Sequence, residues 1–353
     1  MGKTVRVGVI GCGAISGDHC EGVRRHPDAE LAALCDISEK RLKEQAKRHG
    51  VARTFAKWEA LVACPDLDAV TVALPNYLHA PVSIAALKAG KHVCCEKPFA
   101  TAYAEAKAVA DAAKKAKKVF AVGMNARFAR DRQVVKALVE RGELGDVYHA
   151  RAYYLRRFGA PKRHTWFGHK KLAGGGCLYD IGVHALDLCM HLMDNFQPES
   201  VSGRVFTRIA TQKPYKTGWG RSDPDPKLVF DVDDFAVALV KLRGGQVIEL
   251  SASWALMLPD GGGNNIELHG DRGGAQLYPA RLVRPAKREG EYDVIEPQGV
   301  KIRYEHCSRF VNWIDAILGR DALCATPEQS LAVQKVLDAV YASSASGGEV
   351  RIR

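Results

Sequence analysis

The sequence predicts two domains: an N-terminal α/β domain with a doubly wound parallel sheet, and a C-terminal α+β domain with mostly antiparallel strands. The chain has 353 residues, which is more than one typical domain contains. In its first third, short apolar strands alternate with helical stretches, as in parallel sheets. Further on, several strand patterns follow one another without helices, which is typical of antiparallel sheets. We therefore expect domains at 1–124 and 125–353.

The N-terminal domain should contain a series of buried strands joined by helices. The apolar runs that predict strands lie at 5–9, 31–35, 69–74, 93–95 and 119–122. The helical patterns between them lie at 14–26, 38–48, 79–89 and 104–116. This alternation indicates parallel strands with crossover helices.

The C-terminal domain should begin with a helix and a strand and continue into a sheet. The helix is expected at 131–141 and the strand at 147–155, followed by a polar loop at 159–172 and an apolar helix after the glycine triplet 174–176. Later strands are expected at 201–207, 235–242, 247–254 and 266–268, with loops at 211–227 and 259–265. Two further helices are expected at 305–318 and 327–343.

The composition excludes several classes of protein. With 47% hydrophobic and 26% charged residues, it is that of an ordinary soluble globular protein. The net charge is +11, but no zinc-finger or RNA-binding pattern accompanies it, so no nucleic-acid partner is expected. No apolar run reaches the roughly 20 residues of a membrane span, and no signal peptide precedes the first strand. We therefore expect a cytoplasmic protein without a membrane partner.

The ten cysteines are scattered, and none forms a C-x-x-C pair. Most lie in apolar segments, which favours reduced, buried thiols over disulfides. The cysteines therefore predict no metal site.

A glycine turn at 9–17 follows the first strand and begins the first helix. Gly11 and Gly13 permit a tight turn and a close approach of the backbone to a pyrophosphate, which a helix N-terminus stabilises. Ser16 replaces the third glycine of the G-x-G-x-x-G pattern, and Gly17 follows it. Because an acidic residue, Asp36, ends the second strand where a ribose would bind, the turn predicts a dinucleotide site.

The contacts expected from this turn and the strand after it are Gly11, Cys12, Gly13, Ala14, Ile15 and Asp36. The Asp36 carboxylate would repel a 2′-phosphate and favours NAD, whereas Lys40 and Arg41 leave NADP open. Contacts are also expected from the loops after later strands, at Leu74, Pro75, Asn76, His79, Glu96, Lys97 and Asn125. For His79, capping of the next helix is the alternative.

Lys97 follows the strand at 93–95, at the edge of the sheet where ligands of open α/β sheets bind. Its ammonium group can hold a substrate hydroxyl and stabilise a developing oxyanion. The alternative is a solvated lysine at a strand end.

The helix after the glycine triplet carries Asp180 and His184 one turn apart, on one face of an apolar segment. Such a buried pair is either a site of proton transfer or a structural hydrogen bond. A metal is the third alternative, but it needs three or four converging ligands. Asp187 and His191 repeat the spacing further along, too far for one reacting carbon to meet, and are expected to be structural hydrogen-bonding residues.

The chain before this helix supplies candidates for a sugar site, although aromatic and charged residues on a loop are as often surface packing. They are Tyr154, Arg156, His164, Trp166 and His169.

Four motifs together resemble the Gfo/Idh/MocA oxidoreductases, the family of glucose-fructose oxidoreductase and inositol dehydrogenase. They are Gly11-x-Gly13, Pro75-Asn76-x-x-His79, Glu96-Lys97-Pro98 and the segment 174–184, which reads G-G-G-x-L-x-D-x-G-x-H. Their order and spacing resemble the family over nearly the full chain. Ser16-Gly17 departs from the glycine pattern, at a place where the family varies.

The resemblance implies a Rossmann domain and an α+β domain whose large open sheet makes oligomer contacts, so a homodimer or homotetramer is expected. It implies that Lys97, Asp180 and His184 act together on a sugar, polyol or inositol-type hydroxyl with NAD(P). It also implies a cis peptide at Lys97-Pro98.

The expected reaction transfers a hydride between the substrate carbon and nicotinamide. His184 would remove the hydroxyl proton, for which a pKa near the working pH would suit it, and Lys97 would bind the same oxygen. Asp180 would bind the substrate and orient the pair. Two alternatives remain: an NAD-retaining glycosidase-like enzyme that oxidises C3 transiently, and a non-catalytic dinucleotide or sugar sensor.

Overall fold

A computed structural model describes residues 4–212, 215 and 218–353 of the protein. Within them, a parallel sheet contains β1 (Val5–Ile10), β2 (Ala29–Cys35), β3 (Thr54–Phe55), β4 (Ala69–Val72), β5 (His92–Cys95) and β6 (Phe120–Val122). The strands lie in the order 3-2-1-4-5-6, so the strand order reverses between β1 and β4. This confirms the doubly wound sheet, and the reversal creates a crevice at the carboxyl ends of the strands.

Helices cover both faces of this sheet. They are α1 (Ser16–Arg24), α2 (Glu39–His49), α3 (Trp58–Val62), α4 (His79–Lys88) and α5 (Tyr103–Ala116). The sequence patterns did not predict β3 and α3, because a two-residue strand and a five-residue helix are too short to show a period.

The second half of the chain forms a larger sheet whose described strands lie in the order 14-13-12-11-7-10-9-8-15. They are β7 (Val147–Arg156), β8 (Pro198–Phe206), β9 (Phe235–Leu242), β10 (Val247–Ser253), β11 (Gly262–Gly270), β12 (Gly274–Gln276), β13 (Arg281–Pro285), β14 (Tyr292–Ile295) and β15 (Val350–Arg351). Neighbouring strands are antiparallel except for the parallel pair of β7 and β10. This confirms the predicted α+β class.

The helices of the second half are α6 (Arg130–Glu140), α7 (Lys170–Ala173), α8 (Val183–Leu192), α9 (Arg309–Ile317) and α10 (Pro327–Ser346). Helix α9 packs back onto the first domain, because Phe310, Trp313 and Ile314 share a buried cluster with side chains of β1, β2 and α1. The domain boundary between 124 and 125 stays a prediction.

The loop expected at 259–265 is wrong in its second half, since β11 begins at Gly262. Glycine and asparagine fill this part of the strand and give no alternating apolar pattern, but the residues pair with β7 from Gly262 opposite Arg156 onward. Tertiary pairing, not local preference, forms the strand here. The loop expected at 211–227 lies partly outside the described residues, at 213–214 and 216–217.

The helix after the glycine triplet differs from the expected continuous α-helix. Residues Leu178–Gly182 form one π-helical turn, and α8 begins at Val183. The triplet packs on Asp233, whose carboxylate accepts hydrogen bonds from Gly176 N (2.7 Å) and Leu178 N (2.9 Å). A Cβ at Gly176 would lie 1.9 Å from the Asp233 carbonyl oxygen, so glycine here lets the backbone pack closely against Asp233.

A buried ion pair joins the start of the second domain to α8. The guanidinium of Arg127 donates to both carboxylate oxygens of Asp187, at 2.9 and 2.6 Å, and both side chains are fully buried. Asp187 is therefore the structural hydrogen-bonding residue that its spacing predicted. Among the described residues no hydrogen bond reaches the His191 ring, so that part of the expectation is wrong.

Two further sequence expectations concern cysteines and membrane spans. All ten cysteines are free of disulfides, and all of them except Cys307 are buried. No helix in the described ranges is long and apolar enough to cross a bilayer.

We expect Arg127→Met to lower the free energy of unfolding by about 3–5 kcal/mol, because it leaves the Asp187 carboxylate buried without its partner. Urea denaturation measures this loss. The double variant Arg127→Met/Asp187→Leu should be less destabilised than the single one. The exposed pair of Lys107 and Asp111 is the control, and Lys107→Met should leave the free energy of unfolding almost unchanged. A loss below about 1 kcal/mol for Arg127→Met would contradict the assignment.

Candidate active site

The predicted cofactor residues follow the carboxyl ends of the parallel strands. The glycine turn follows β1, Asp36 follows β2, Leu74 follows β4, Glu96 follows β5 and Asn125 follows β6. Because the strands are parallel, these positions meet at one edge of the sheet, beside the reversal of strand order. The fold therefore brings the sequence candidates together.

The glycine turn has the shape that a pyrophosphate needs. Gly11 has φ +104°, and a Cβ there would lie 2.2 Å from the Ala73 carbonyl oxygen, so only glycine fits. A Cβ at Gly13 would meet no atom within 4 Å, so the backbone there borders open space. Helix α1 begins after Ile15 without a side-chain cap, which leaves its N-terminus available to an anion. The turn therefore fits the phosphates of a dinucleotide.

The carboxylate of Asp36 is fixed in place by two backbone amides. Its oxygens accept hydrogen bonds from Cys12 N and Ser38 N, both at 2.7 Å. Arg41 Nε lies 3.7 Å from Asp36 Oδ1, and Arg41 also reaches the second domain, donating to the Arg221 carbonyl oxygen at 3.4 Å. Each carboxylate oxygen keeps a second lone pair, so Asp36 can still accept hydrogen bonds from ribose hydroxyls.

The loop after β4 uses its polar side chains for contacts within the protein. Asn76 Nδ2 donates to the Ala173 carbonyl oxygen at 2.8 Å. The two ring nitrogens of His79 lie 2.8 Å from the Pro98 carbonyl oxygen and 2.9 Å from that of Leu74. Burial lowers the pKa of His79. These side chains tie the loop to α7 and to the Lys97-Pro98 peptide, and their contact with a cofactor stays a prediction.

Lys97 and Asp180 form a direct contact between the two domains at this edge. Lys97 Nζ donates to Asp180 Oδ1 and to the Asp180 carbonyl oxygen, both at 2.8 Å. Trp254 Nε1, at the end of β10, donates to Asp180 Oδ2 at 2.9 Å. Burial alone would raise the pKa of Asp180, but Lys97 and Trp254 together hold it below its ordinary value. The Lys97-Pro98 peptide is cis, as the resemblance implied.

His184 lies beside this pair on the wall of a cavity of about 170 Å³. Burial and the positive charge of Lys97 lower the pKa of His184 to about 3, so its ring is neutral and can accept a proton. The sequence interpretation required a pKa near the working pH, and the pKa of His184 lies well below that. Among the described residues no hydrogen bond joins His184 to Asp180, which lies within the π-helical turn.

Behind Lys97 lies an ion cluster that sequence reasoning did not find. Arg309 Nη2 lies 2.6 Å from Glu96 Oε1 and 2.7 Å from Asp18 Oδ2, and His19 Nε2 lies 2.9 Å from the same Glu96 oxygen. Burial would raise the pKa of Glu96, but Arg309 and His19 bring it well below its usual range. Glu96 Oε2 accepts a hydrogen bond from Lys97 N at 3.2 Å, so the cluster supports the lysine. Arg309 follows Glu96 by 213 residues, and no local pattern marks the pair.

The five residues proposed for a sugar site are not all near the cavity. Tyr154 lines it, and Arg156 Nη2 donates to the Tyr154 hydroxyl at 2.9 Å. His164, Trp166 and His169 are not among the described residues that line the cavity, and they contact Leu228, Phe167 and Asp231, respectively. In the described ranges, no group of three acidic, cysteine or histidine residues could hold a metal ion.

The crevice, the glycine turn and the Lys97–Asp180 contact define a dinucleotide-dependent oxidoreductase. The chain belongs to the GFO/IDH/MocA family: residues 5–124 match its oxidoreductase family model with an NAD-binding Rossmann fold, and residues 132–276 match its C-terminal domain model. The cofactor expected from the sequence, NAD, agrees with this family.

Relatives and a solved structure are similar to about half or to nearly all of the chain. A D-glucoside 3-dehydrogenase from Escherichia coli K12 is 31% identical over 99% of this chain and 97% of its own length. A myo-inositol 2-dehydrogenase from Thermotoga maritima is 33% identical over 54% of this chain and 55% of its own. A levoglucosan dehydrogenase in complex with NADH and levoglucosan has TM-score 0.85 at 23% identity, over 99% of this chain and 100% of its own, which shows the fold.

We expect Gly13→Val to weaken NADH binding by at least about 10-fold, because its side chain fills the open space over the turn without meeting the protein. Fluorescence titration with NADH measures the affinity. Gly17→Ala is the matched control, since a Cβ there has Arg48 at 3.8 Å as its nearest neighbour. Both variants should keep the wild-type melting temperature. Equal NADH affinity in Gly13→Val and the wild type would contradict this position for the cofactor.

Proposed function

We propose that the protein transfers a hydride between a sugar, polyol or inositol-type hydroxyl and NAD, with Lys97, Asp180 and His184 as the reacting group. The observation that carries the proposal is the position of the neutral His184 ring on the cavity wall, near enough to Lys97 for the positive charge of the lysine to lower the pKa of His184. The names of the similar dehydrogenases support a sugar or polyol substrate. We further propose the Gly11–Ile15 turn and Asp36 as contacts of the cofactor.

In the proposed oxidation, His184 accepts the hydroxyl proton while the carbinol C–H bond breaks. Bound NAD⁺ supplies the hydride acceptor. Lys97 donates a hydrogen bond to the same oxygen and stabilises its negative charge as the carbonyl forms. Lys97 donates to one Asp180 oxygen and Trp254 to the other, which orients the lysine, and the second lone pair of each oxygen is left to accept a substrate hydroxyl. The reduction uses the same groups in reverse.

The experiment that tests the function follows absorbance near 340 nm with NAD⁺ and a panel of sugars, polyols and inositols. Net NADH formation supports a dehydrogenase. Release of an aglycone without net NADH, from protein that keeps its cofactor through purification, would indicate the redox-neutral glycosidase-like reaction. Binding of NADH with neither product would indicate a sensor.

We expect His184→Asn to lower kcat/KM for the oxidised substrate by about 10²–10⁴-fold, because it removes the proton acceptor. Steady-state rates measure the loss. His191→Asn is the matched control, since this histidine lies on the same helix and outside the cavity wall. NADH affinity should stay unchanged in both. Wild-type rates in His184→Asn would refute the assignment of the base.

The lowered pKa of His184 also predicts a pH dependence of stability. The unfolded histidine, with a pKa of about 6.5, takes up a proton below that pH, whereas the buried ring does so only near about 3. Acid therefore favours the unfolded state, and this residue should cost about 2 kcal/mol between pH 7.5 and pH 5. Urea denaturation of the wild type and His184→Asn at both pH values measures the difference. Equal pH dependence in the two proteins would contradict a depressed pKa.

A further inference from the structure

One arginine, Arg132, lines the cavity beside His184, and a second, Arg156, contacts Tyr154 of the cavity wall; the proposed reaction uses neither. Arg132, at the start of α6, lines the cavity, donates from Nη1 to the Ala126 carbonyl oxygen at 3.1 Å and lies 5.2 Å over the Tyr278 ring. Arg156, at the end of β7, lies 4.8 Å over the ring of Tyr154, another residue of the cavity wall. Both arginines are half-buried.

Neither arginine has an acidic partner. Among the described residues, no carboxylate oxygen lies within 4.0 Å of a guanidinium nitrogen of Arg132 or Arg156. The nearest acidic neighbour in sequence, Asp131, accepts a hydrogen bond from the backbone N of Arg132. A half-buried guanidinium on a cavity wall without an acidic partner keeps donors free for an anion that enters the cavity.

Other buried arginines of the chain show the contrast. Arg127 is paired with Asp187, and Arg309 with Glu96 and Asp18. Among the described residues, the two buried guanidinium groups are therefore both neutralised by carboxylates. At the cavity, the neighbours are instead tyrosine hydroxyls and a carbonyl oxygen, which are neutral.

We propose that the sugar bound in this cavity carries an anionic substituent, a carboxylate or a phosphate ester, and that Arg132 binds it with Arg156 as a second cation. The proposal rests on the proposed function, because it names the class of substrate for the same site. A guanidinium has five N–H donors, and only two of those of Arg132 are used within the protein. The remaining donors match the paired oxygens of a carboxylate or phosphate. The tyrosine rings beside both arginines offer flat surfaces to the sugar ring.

The test compares a neutral glucoside with two anionic counterparts, the matching glucuronoside and glucose 6-phosphate. NADH formation gives kcat/KM for each with the full-length protein. We expect at least one anionic sugar to exceed the neutral one by about 10- to 100-fold, as charge-assisted hydrogen bonds do. The two arms distinguish a carboxylate from a phosphate. The advantage should shrink at high salt.

Variants then assign the effect to Arg132. Arg132→Gln should remove the anionic advantage and leave kcat/KM for the neutral glucoside within about 3-fold, whereas Arg132→Lys should keep part of it. Arg151→Gln is the control, because Arg151 is exposed, lies on β7 like Arg156 and is not among the residues that line the cavity. If Arg132→Gln fails to fold, the proposal is tested by the kcat/KM advantage of the anionic sugar in Arg156→Gln and by the salt dependence of that advantage in the wild type.

Three results would overturn the proposal. They are equal kcat/KM for neutral and anionic sugars in the wild type, a preference for the neutral one, and an equal loss on both sugars in Arg132→Gln. If no sugar is turned over, the proposed function fails on its own, and calorimetric titration of the NADH-bound protein with the anionic sugars replaces turnover. Binding that Arg132→Gln abolishes then supports the anion site, and absence of binding refutes it.

Discussion

The hydrogen-bonded ion pair of Lys97 and Asp180 is the contact on which the site depends. It joins the end of β5 in one domain to the segment before α8 in the other, and both side chains are largely withdrawn from water. Breaking one partner of such a pair is costly, about 3–5 kcal/mol for fully buried cases. Trp254 donates a hydrogen bond to the other Asp180 oxygen, and Glu96 accepts a hydrogen bond from the backbone amide of Lys97. The relative position of the two domains is therefore set at the atoms proposed to react.

The π-helical turn that contains Asp180 is held by its own set of hydrogen bonds. A π-helical turn is less favourable than an α-turn and occurs often at functional sites. Here Asp233 accepts amide hydrogen bonds at the start of the segment, and Tyr341 donates its hydroxyl to the same carboxylate. These bonds replace a helix cap and hold the turn in register. The glycine triplet permits this contact, because a side chain on Gly176 would overlap Asp233.

The parallel sheet and the chemistry-bearing motifs could be predicted from the sequence because their signals are local. Strand and helix periods alternate along the first domain, and Gly11, Lys97 and Asp180 lie in short motifs. The residues that hold them could not be predicted, since Trp254 and Arg309 act across long separations in sequence. Strand β11 was missed in part for the same reason: its pairing with β7, not its composition, makes it a strand.

The depressed pKa of His184 bears on how a proton would leave the substrate. A base with a pKa of about 3 cannot deprotonate an alcohol before oxidation begins, because alcohols are far weaker acids. As the hydride leaves, however, the oxygen becomes that of a protonated carbonyl, which is a strong acid. Lys97, already held by Asp180, stabilises the oxygen as the proton departs. On the proposed mechanism, proton transfer to His184 therefore accompanies hydride loss and does not precede it.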